Sequence, residues 1–304
     1  MKYRRLGKTD LKVSVVGVGT WQFGGAWGKD FELAEVKEMF SAAKDHGINL
    51  IDTAECYGDH TSERLIGEAL EKERENWVIA TKFGHNLGAS HAPELNWQAD
   101  EVKKQLDESL RSLRTDYVDL LQFHSGSDEF FDNEETWSML AAEVDAGRVH
   151  HLGISIGSNQ NVYQTDKASS IRASAIQVIY NRMNNAPEEA VFDSCTRQDL
   201  GVLARVPLAS GFLSGKYQPG ARWSEGDVRH KRKPEDTDKA LAEVEKIKEE
   251  VPEGVAMASW ALAWCLRHPA VTCVIPGCKS VEQVITNAEA ANLAEAGHPQ
   301  DWKG

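Results

Sequence analysis

Asn49-Leu50-Ile51-Asp52, Val78-Ile79-Ala80-Thr81-Lys82 and Val118-Asp119-Leu120-Leu121-Gln122-Phe123-His124 follow one plan: a short apolar run that ends on a reactive polar residue. Runs that are apolar almost throughout suit strands buried on both faces, as in a parallel sheet. When parallel strands close into a barrel, their C-terminal ends all open onto one face. Asp52, Lys82 and His124 then converge there, with Tyr57 in the loop just after the first run.

Working outward, the same kind of run recurs at Val15–Gly19, Leu152–Ser155, Ala175–Tyr180, Val202–Val206 and Cys273–Pro276. Helical spacing lies between them: Val102, Leu106, Leu110 and Leu113 mark one face, Trp137, Leu140, Ala141 and Val144 another, Val281, Val284, Ile285 and Ala288 the last. Ser280 followed by Gln283 resembles a capping box. Before all this, Tyr3–Leu6 and Leu11–Ser14 read as a hairpin turned through Gly7-Lys8-Thr9-Asp10. Eight strands, each followed by helix-compatible sequence, make an α/β fold of the (β/α)8 TIM barrel type with an N-terminal β-hairpin.

The rival is a doubly wound open sheet. Gly17-Val18-Gly19-Thr20-Trp21-Gln22 lacks the third glycine of a dinucleotide fingerprint, which counts against it. The chain has 304 residues, and a barrel uses about 250 as one unit. With no linker at mid-chain, residues 1–304 are expected to form a single barrel domain. The longest interval between strands, Val206 to Cys273, is placed at the active-site end.

Lys plus Arg is 34 and Asp plus Glu is 47, a formal net charge of −13. That balance argues against a broad nucleic-acid surface. The one basic run, Arg229-His230-Lys231-Arg232-Lys233, is expected to be a solvated loop. No stretch has the roughly 18 apolar residues of a membrane span, and the charged start does not resemble a signal peptide. Five irregularly spaced cysteines suit reduced thiols in a cytoplasm. Cys273 and Cys278 lack a second pair at zinc spacing, so no metal is expected.

Free tyrosine, with a pKa near 10, is a poor acid at neutral pH. A neighbouring lysine cation stabilises the phenolate and is expected to lower that pKa. An aspartate holds the lysine charged, and a histidine can hydrogen-bond a carbonyl oxygen. Together Asp52, Tyr57, Lys82 and His124 suit proton transfer to an oxygen that becomes negative as hydride reaches its carbon. A lyase using Lys82 as a nucleophile needs a depressed lysine pKa, and Asp52 works the other way.

Ile51-Asp52-Thr53-Ala54-Glu55-Cys56-Tyr57-Gly58, then Ser62-Glu63-Arg64-Leu65-Ile66-Gly67, closely resembles the aldo-keto reductase signature. Ile79-Ala80-Thr81-Lys82, Leu106–Asp119, Gln122-Phe123-His124, Gln177-Val178-Ile179-Tyr180-Asn181 and Ile275-Pro276-Gly277 continue the likeness in order, over nearly the whole chain. It looks most like the bacterial stress-type members, whose relatives include potassium-channel beta subunits.

The resemblance implies a metal-free reductase of small aldehydes or ketones that uses NADPH. Tyr57 would be the general acid, Lys82 its tuner, Asp52 the anchor of Lys82, and His124 the residue that orients the carbonyl. It further implies that Gly19, Thr20 and Trp21, with Asp52, lie beside the nicotinamide, and that Ser155 and Gln177 bind its carboxamide. Pro207, Leu208, Ser210, Gly211 and Lys216 match the pyrophosphate loop. Gly277, Lys279, Gln283 and Asn287 match the adenosine end, with Lys279 placed for a 2′-phosphate. Trp21, Phe23 and Trp27 are expected to wall the substrate site beside Tyr57 and His124.

Two departures stand out. Arg205-Val206 replaces the aromatic run that stacks on the nicotinamide in the family, so Arg205 and Val206 are expected to take its place, the planar guanidinium stacking instead. Ser125-Gly126-Ser127 follows His124 where a larger residue is common, which implies a smaller, more polar wall. The alternative function is a cofactor-sensing regulatory subunit of the same fold. Oligomeric state is open, and a monomer is compatible with the sequence.

Overall fold

The computed structural model describes residues 1–87, 93–160 and 162–303. The chain opens with an antiparallel hairpin, β1 (Tyr3–Arg5) and β2 (Lys12–Ser14). Next come β3 (Val18–Gly19), α1 (Leu33–Asp45), β4 (Leu50–Asp52), α2 (Thr61–Leu70) and β5 (Val78–Phe83). A second antiparallel pair, β6 (His85–Leu87) and β7 (Pro93–Leu95), was not signalled by the sequence. The chain continues through α3 (Ala99–Leu113), β8 (Val118–His124), α4 (Asp128–Phe131), α5 (Glu134–Asp145), β9 (Val149–Ser155) and α6 (Val162–Asp166). It ends with β10 (Ala173–Ile179), α7 (Val191–Arg197), β11 (Gly201–Arg205), α8 (Pro234–Ile247), α9 (Met257–Leu266), β12 (Cys273–Val274) and α10 (Val281–Leu293).

Strands β3, β4, β5, β8, β9, β10, β11 and β12 form one parallel sheet in chain order. Its two edges meet. Gly17 N–H donates to Val274 O at 2.8 Å, Val274 N–H to Val15 O at 3.0 Å, and Gly19 N–H to Pro276 O at 2.9 Å. The sheet is therefore a closed barrel, as expected, and closure leaves no open edge of the kind that recruits other strands.

Each strand end is placed by register. Asp52 pairs with Ala80, Lys82 with Gln122, and His124 with Ser155, so neighbouring C-terminal ends stand side by side. The hairpin covers the opposite end. Leu6 and Val13 pack with Leu50, Val78, Leu120, Ala175 and Leu203 in a compact apolar cluster. Gly7, at φ +54°, lies so close to β11 that a Cβ there would sit 2.1 Å from Gly201 N.

α3 shows why the outer helices dock. Val102, Leu106, Leu110 and Leu113 are all buried on one face, and Arg114 ends the helix in the left-handed region. Burying each such side chain is worth about 1.5–3 kcal/mol. α10 begins as predicted, with Ser280 Oγ accepting from Gln283 N–H. The return bond differs: Gln283 Oε1 accepts from Lys279 N–H at 2.8 Å, not from Ser280, which fixes the residue before the cap. The long interval after β11 builds its own small core from Phe212, Leu213, Leu241, Val244, Ile247 and Trp260. Among the described residues, no helix is long and apolar enough to cross a membrane.

Candidate active site

A cleft of ≈ 1400 Å³ opens at the C-terminal face of the barrel. It exceeds the ~300–1,000 Å³ of an ordinary small-ligand pocket. All the residues expected to catalyse or to bind cofactor and substrate line it, save Lys82, which lies beneath its floor, fully buried; of the expected small wall only Ser125 lines it, Gly126 and Ser127 do not.

Lys82 organises that floor. Its Nζ donates to Asp52 Oδ2 at 2.9 Å, to Thr53 O at 2.6 Å and to Tyr57 Oη at 3.3 Å. An ammonium has three donors, and all three are used. Asp52 Oδ1 accepts from Gln177 Nε2 at 2.6 Å and from Gln122 Nε2 at 3.2 Å. Gln122 was quoted in the sequence only as part of a motif. Its place two residues before His124, on the same face of β8, was the available signal.

Burial works against the Lys82 cation, but Asp52 overrides it and holds its pKa above the usual lysine range. That favours the protonated amine, the opposite of what a Schiff-base lyase requires. The expected lowering of Tyr57 is not met. Burial pushes its phenol up to about 12, and Lys82 offsets only part of that. Tyr57 stays protonated at neutral pH. Because its oxygen accepts from Lys82, its own O–H is free to donate into the cleft.

His124 stands beside it, ring edge to face with Tyr57 at 6.2 Å. Burial holds its pKa below the usual histidine value even though Glu55 opposes this. His85 stacks on it, centroids 4.3 Å apart and planes 18° from parallel. Glu55 Oε1 accepts from His85 N–H at 2.8 Å and so carries the start of β6. His85 and Glu55 were missed because neither sits at the C-terminal end of a barrel strand. Ser125 lines the cleft as expected of a small wall. Gly126 must be small for packing: a Cβ there would lie 2.3 Å from the Phe123 ring and 2.9 Å from that of Trp97.

The aromatic wall divides. Trp21 is exposed and roughly parallel to Tyr57, centroids 6.2 Å apart. Trp27 is buried against Arg229 and Lys279. Phe23 faces the cleft but packs mainly with Phe31 and Phe40, so it is chiefly a core residue.

The basic run is not uniformly solvated. His230, Lys231, Arg232 and Lys233 are exposed, but Arg229 is buried. Its guanidinium grips Asp227 with two bonds of 2.6 and 2.8 Å and lies over the rings of Trp27, Tyr217 and Trp223. This segment forms a strap. Val228 N–H donates to Ala26 O at 2.8 Å, and Lys279 Nζ reaches Trp27 O at 2.6 Å and Asp227 Oδ2 at 4.0 Å.

β11 ends in strained backbone. Val206 (φ +53°), Ala209 (+49°), Ser210 (+59°) and Gly211 (+90°) are left-handed. A β-branched residue there is a genuine outlier, and such residues cost about 1–3 kcal/mol each and cluster at ligand clamps. Arg205 Nη2 donates to Ile156 O at 3.2 Å, while its Nε is buried without a partner. Ser155 Oγ is 3.4 Å from Gln177 Oε1 on the cleft floor. Gly19 and Gly277 line the seam, where Cβ atoms would lie 2.7 Å from Ile275 O and 2.1 Å from the Gln22 side chain. Pro207, Leu208 and exposed Lys216 line one flank, and exposed Gln283 and buried Asn287 line the other. Thr20 Oγ1 donates to Asp52 O at 2.9 Å and pins the first loop to β4.

A family model described as the aldo/keto reductase family matches residues 15–297. A probable voltage-gated potassium channel subunit beta of Arabidopsis thaliana is 29% identical, covering 96% of this chain and 92% of that protein. The uncharacterized oxidoreductase YqkF of Bacillus subtilis is 30% identical over the same shares. Among solved structures, the holo form of aldo-keto reductase AKR11C1 from Bacillus halodurans superposes with a TM-score of 0.80 at 26% identity, covering 98% of this chain and 97% of that one.

Proposed function

The chain belongs to the aldo/keto reductase family, and from that premise we propose that it is an NADPH-dependent reductase of small aldehydes and ketones. The observation that carries this reading is the bond from Lys82 Nζ to Tyr57 Oη. It leaves the phenolic O–H free to donate, and a carbonyl oxygen in the cleft can receive the proton.

The cleft suits a dinucleotide. Its volume is adequate, its outer end carries Lys216, Lys279 and Arg229, and its floor offers amide and hydroxyl groups from Gln177 and Ser155. The turn at Val206–Gly211, left-handed at Val206, Ala209, Ser210 and Gly211, uses the N–H groups of Ala209 and Gly211 internally and can aim others, such as that of Ser210, at a pyrophosphate. Arg205 Nε, buried and unpartnered, is a donor that a ligand would satisfy. When bound, NADPH supplies the hydride. Lys279, with the N-terminus of α10 beside it, supports the choice of NADPH through attraction to a 2′-phosphate.

The protein's own part is positional. Neutral His124 donates an N–H to the substrate carbonyl, and Tyr57 delivers its proton as the oxygen gains charge. Lys82 stabilises the phenolate that remains. Asp52 keeps Lys82 charged, and Gln177 and Gln122 keep Asp52 in place. Trp21 and Trp27 exclude water from the mouth. Residues 1–304 act as one domain in this reading, and the five free thiols suit a cytoplasmic setting.

Loss of reduced-nicotinamide absorbance with an aldehyde panel tests the proposal, compared between wild type and Tyr57→Phe. Turnover that collapses in the variant supports it. The likeness to a potassium channel subunit beta favours a second reading, a cofactor-sensing regulatory subunit. NADPH binding with no turnover on any carbonyl would select that one.

A further inference from the structure

Three soft or borderline ligands meet at the mouth of the floor. Cys56 Sγ lies 3.7 Å from His124 Nδ1, and a ring nitrogen of His85 joins them, so that the three ligand atoms all lie within 4.8 Å of one another. Behind them is Glu55, fully buried, whose Oε2 has no hydrogen-bond partner and lies 3.8 Å from His124 Nδ1. A buried carboxylate oxygen left unpaired beside a Cys-His-His cluster calls for a cation.

We propose that Cys56, His85 and His124 form a binding site for a thiophilic divalent cation of the Zn2+ type, with Glu55 as its buried counter-charge, and that occupancy switches the reductase off. The off-switch rests on the reductase reading above; the binding site does not. Zinc takes Cys sulfur at about 2.3 Å and His nitrogen at about 2.0–2.1 Å in a tetrahedron, which sets ligand atoms about 3.3–3.6 Å apart. Cys56 and His124 are already near that spacing. His85 reaches it by turning its ring out of the stack with His124. Binding replaces the Cys56 S–H bond with a sulfur–metal bond, and the proton passes to water. The thiolate and the Glu55 carboxylate then balance the two positive charges. His124, with a ring nitrogen tied to the metal, is no longer oriented for a substrate carbonyl.

The sequence hides this arrangement. Cys56 follows β4, His85 opens β6 and His124 ends β8, so no short zinc-type spacing links them. Each also has an ordinary packing role, with His85 and His124 stacked and Cys56 among the cleft residues.

Metal-stripped full-length protein is titrated with Co2+ and with Zn2+ against a chromophoric chelator. The expected result is one equivalent bound, with a thiolate-to-cobalt charge-transfer band that Cys56→Ser abolishes. His85→Gln should weaken Zn2+ binding, and Glu55→Gln should weaken it about 10-fold as a loss of supporting charge. Melting curves establish that each variant is folded, and Cys56→Ala replaces Cys56→Ser if the latter is not. Each variant's turnover with Zn2+ is compared with its own rate in chelator; wild type should be inhibited reversibly, and Cys56→Ser and His85→Gln should be insensitive. Absence of a charge-transfer band, or Zn2+ affinity unchanged in both variants, overturns the site. Zn2+ bound through Cys56 in a protein with no carbonyl turnover keeps the site and overturns the reductase reading. Turnover that Zn2+ binding leaves untouched overturns the off-switch.

Discussion

Gln177 Nε2 donates to Asp52 Oδ1 at 2.6 Å, joining β10 to β4 across the barrel floor. The bond fixes one carboxylate oxygen and leaves the other, Oδ2, to Lys82. The ion pair is therefore positioned by a residue that touches neither Lys82 nor Tyr57 in this network.

Replacing Asp52 by Asn keeps the shape and removes the charge. Lys82 is then a buried cation without an anion, a loss of about 3–5 kcal/mol. Urea unfolding of Asp52→Asn should show that loss, and kcat should fall with it. Unchanged stability would mean that Lys82 is neutral in the folded protein.

Tyr57→Phe removes the proton donor and little else. Turnover of an aldehyde should fall by about 10²–10⁴-fold, while NADPH binding, followed by tryptophan fluorescence, stays as in wild type. A variant that retains kcat would move the acid role to another group.

Lys279→Ala discriminates between the cofactors. A lost charge-assisted hydrogen bond to a 2′-phosphate costs about 1.5–3 kcal/mol, or roughly 10- to 160-fold in NADPH affinity, whereas NADH affinity should barely move. Equal losses would remove the 2′-phosphate assignment.

The strap supplies a proteolytic test. Its backbone runs from Lys216 to Lys233 past the cleft and is tied to the first loop through Asp227 and Val228. NADPH should slow tryptic cleavage there, and Asp227→Ala, which frees Arg229, should reduce the protection. Equal cleavage with and without NADPH would show that the strap does not cover the cofactor.

The strand ends were legible because an apolar run stopping at a reactive polar residue is a one-dimensional pattern, and Asp52, Lys82 and His124 each follow it. The burial of Arg229 was not legible. Its partner Asp227 is nearby in sequence, but the rings that enclose it come from Tyr217 and Trp223 earlier in the same segment and from Trp27 on the distant first loop. The balance at Tyr57 was misread for a related reason. A lysine neighbour can be inferred from the strand ends, but the burial that outweighs it depends on everything packed around the ring.

His60, at the cleft's edge but not in its lining, gives a pH test of stability. Burial opposes its charge, but Glu63, with Oε2 2.5 Å from His60 Nδ1, raises its pKa above 6.5. A raised folded pKa stabilises the protein fully below the unfolded value, and that stabilisation is lost as pH rises through the folded value. The stability difference between wild type and His60→Gln should therefore be largest in mild acid and shrink as pH rises past 6.5. A difference independent of pH would show that the pair does not ionise on folding.

The hairpin that seals the far end of the barrel makes the molecule a blind tube. Leu6 and Val13 stopper it with side chains drawn from the strands' own starts, and the strand edges are joined at the seam. Traffic passes through the cleft at the strands' C-terminal ends. A ligand that reaches the floor at Asp52 and Gln177 enters and leaves past the cleft's outer walls, because the hairpin closes the way behind it.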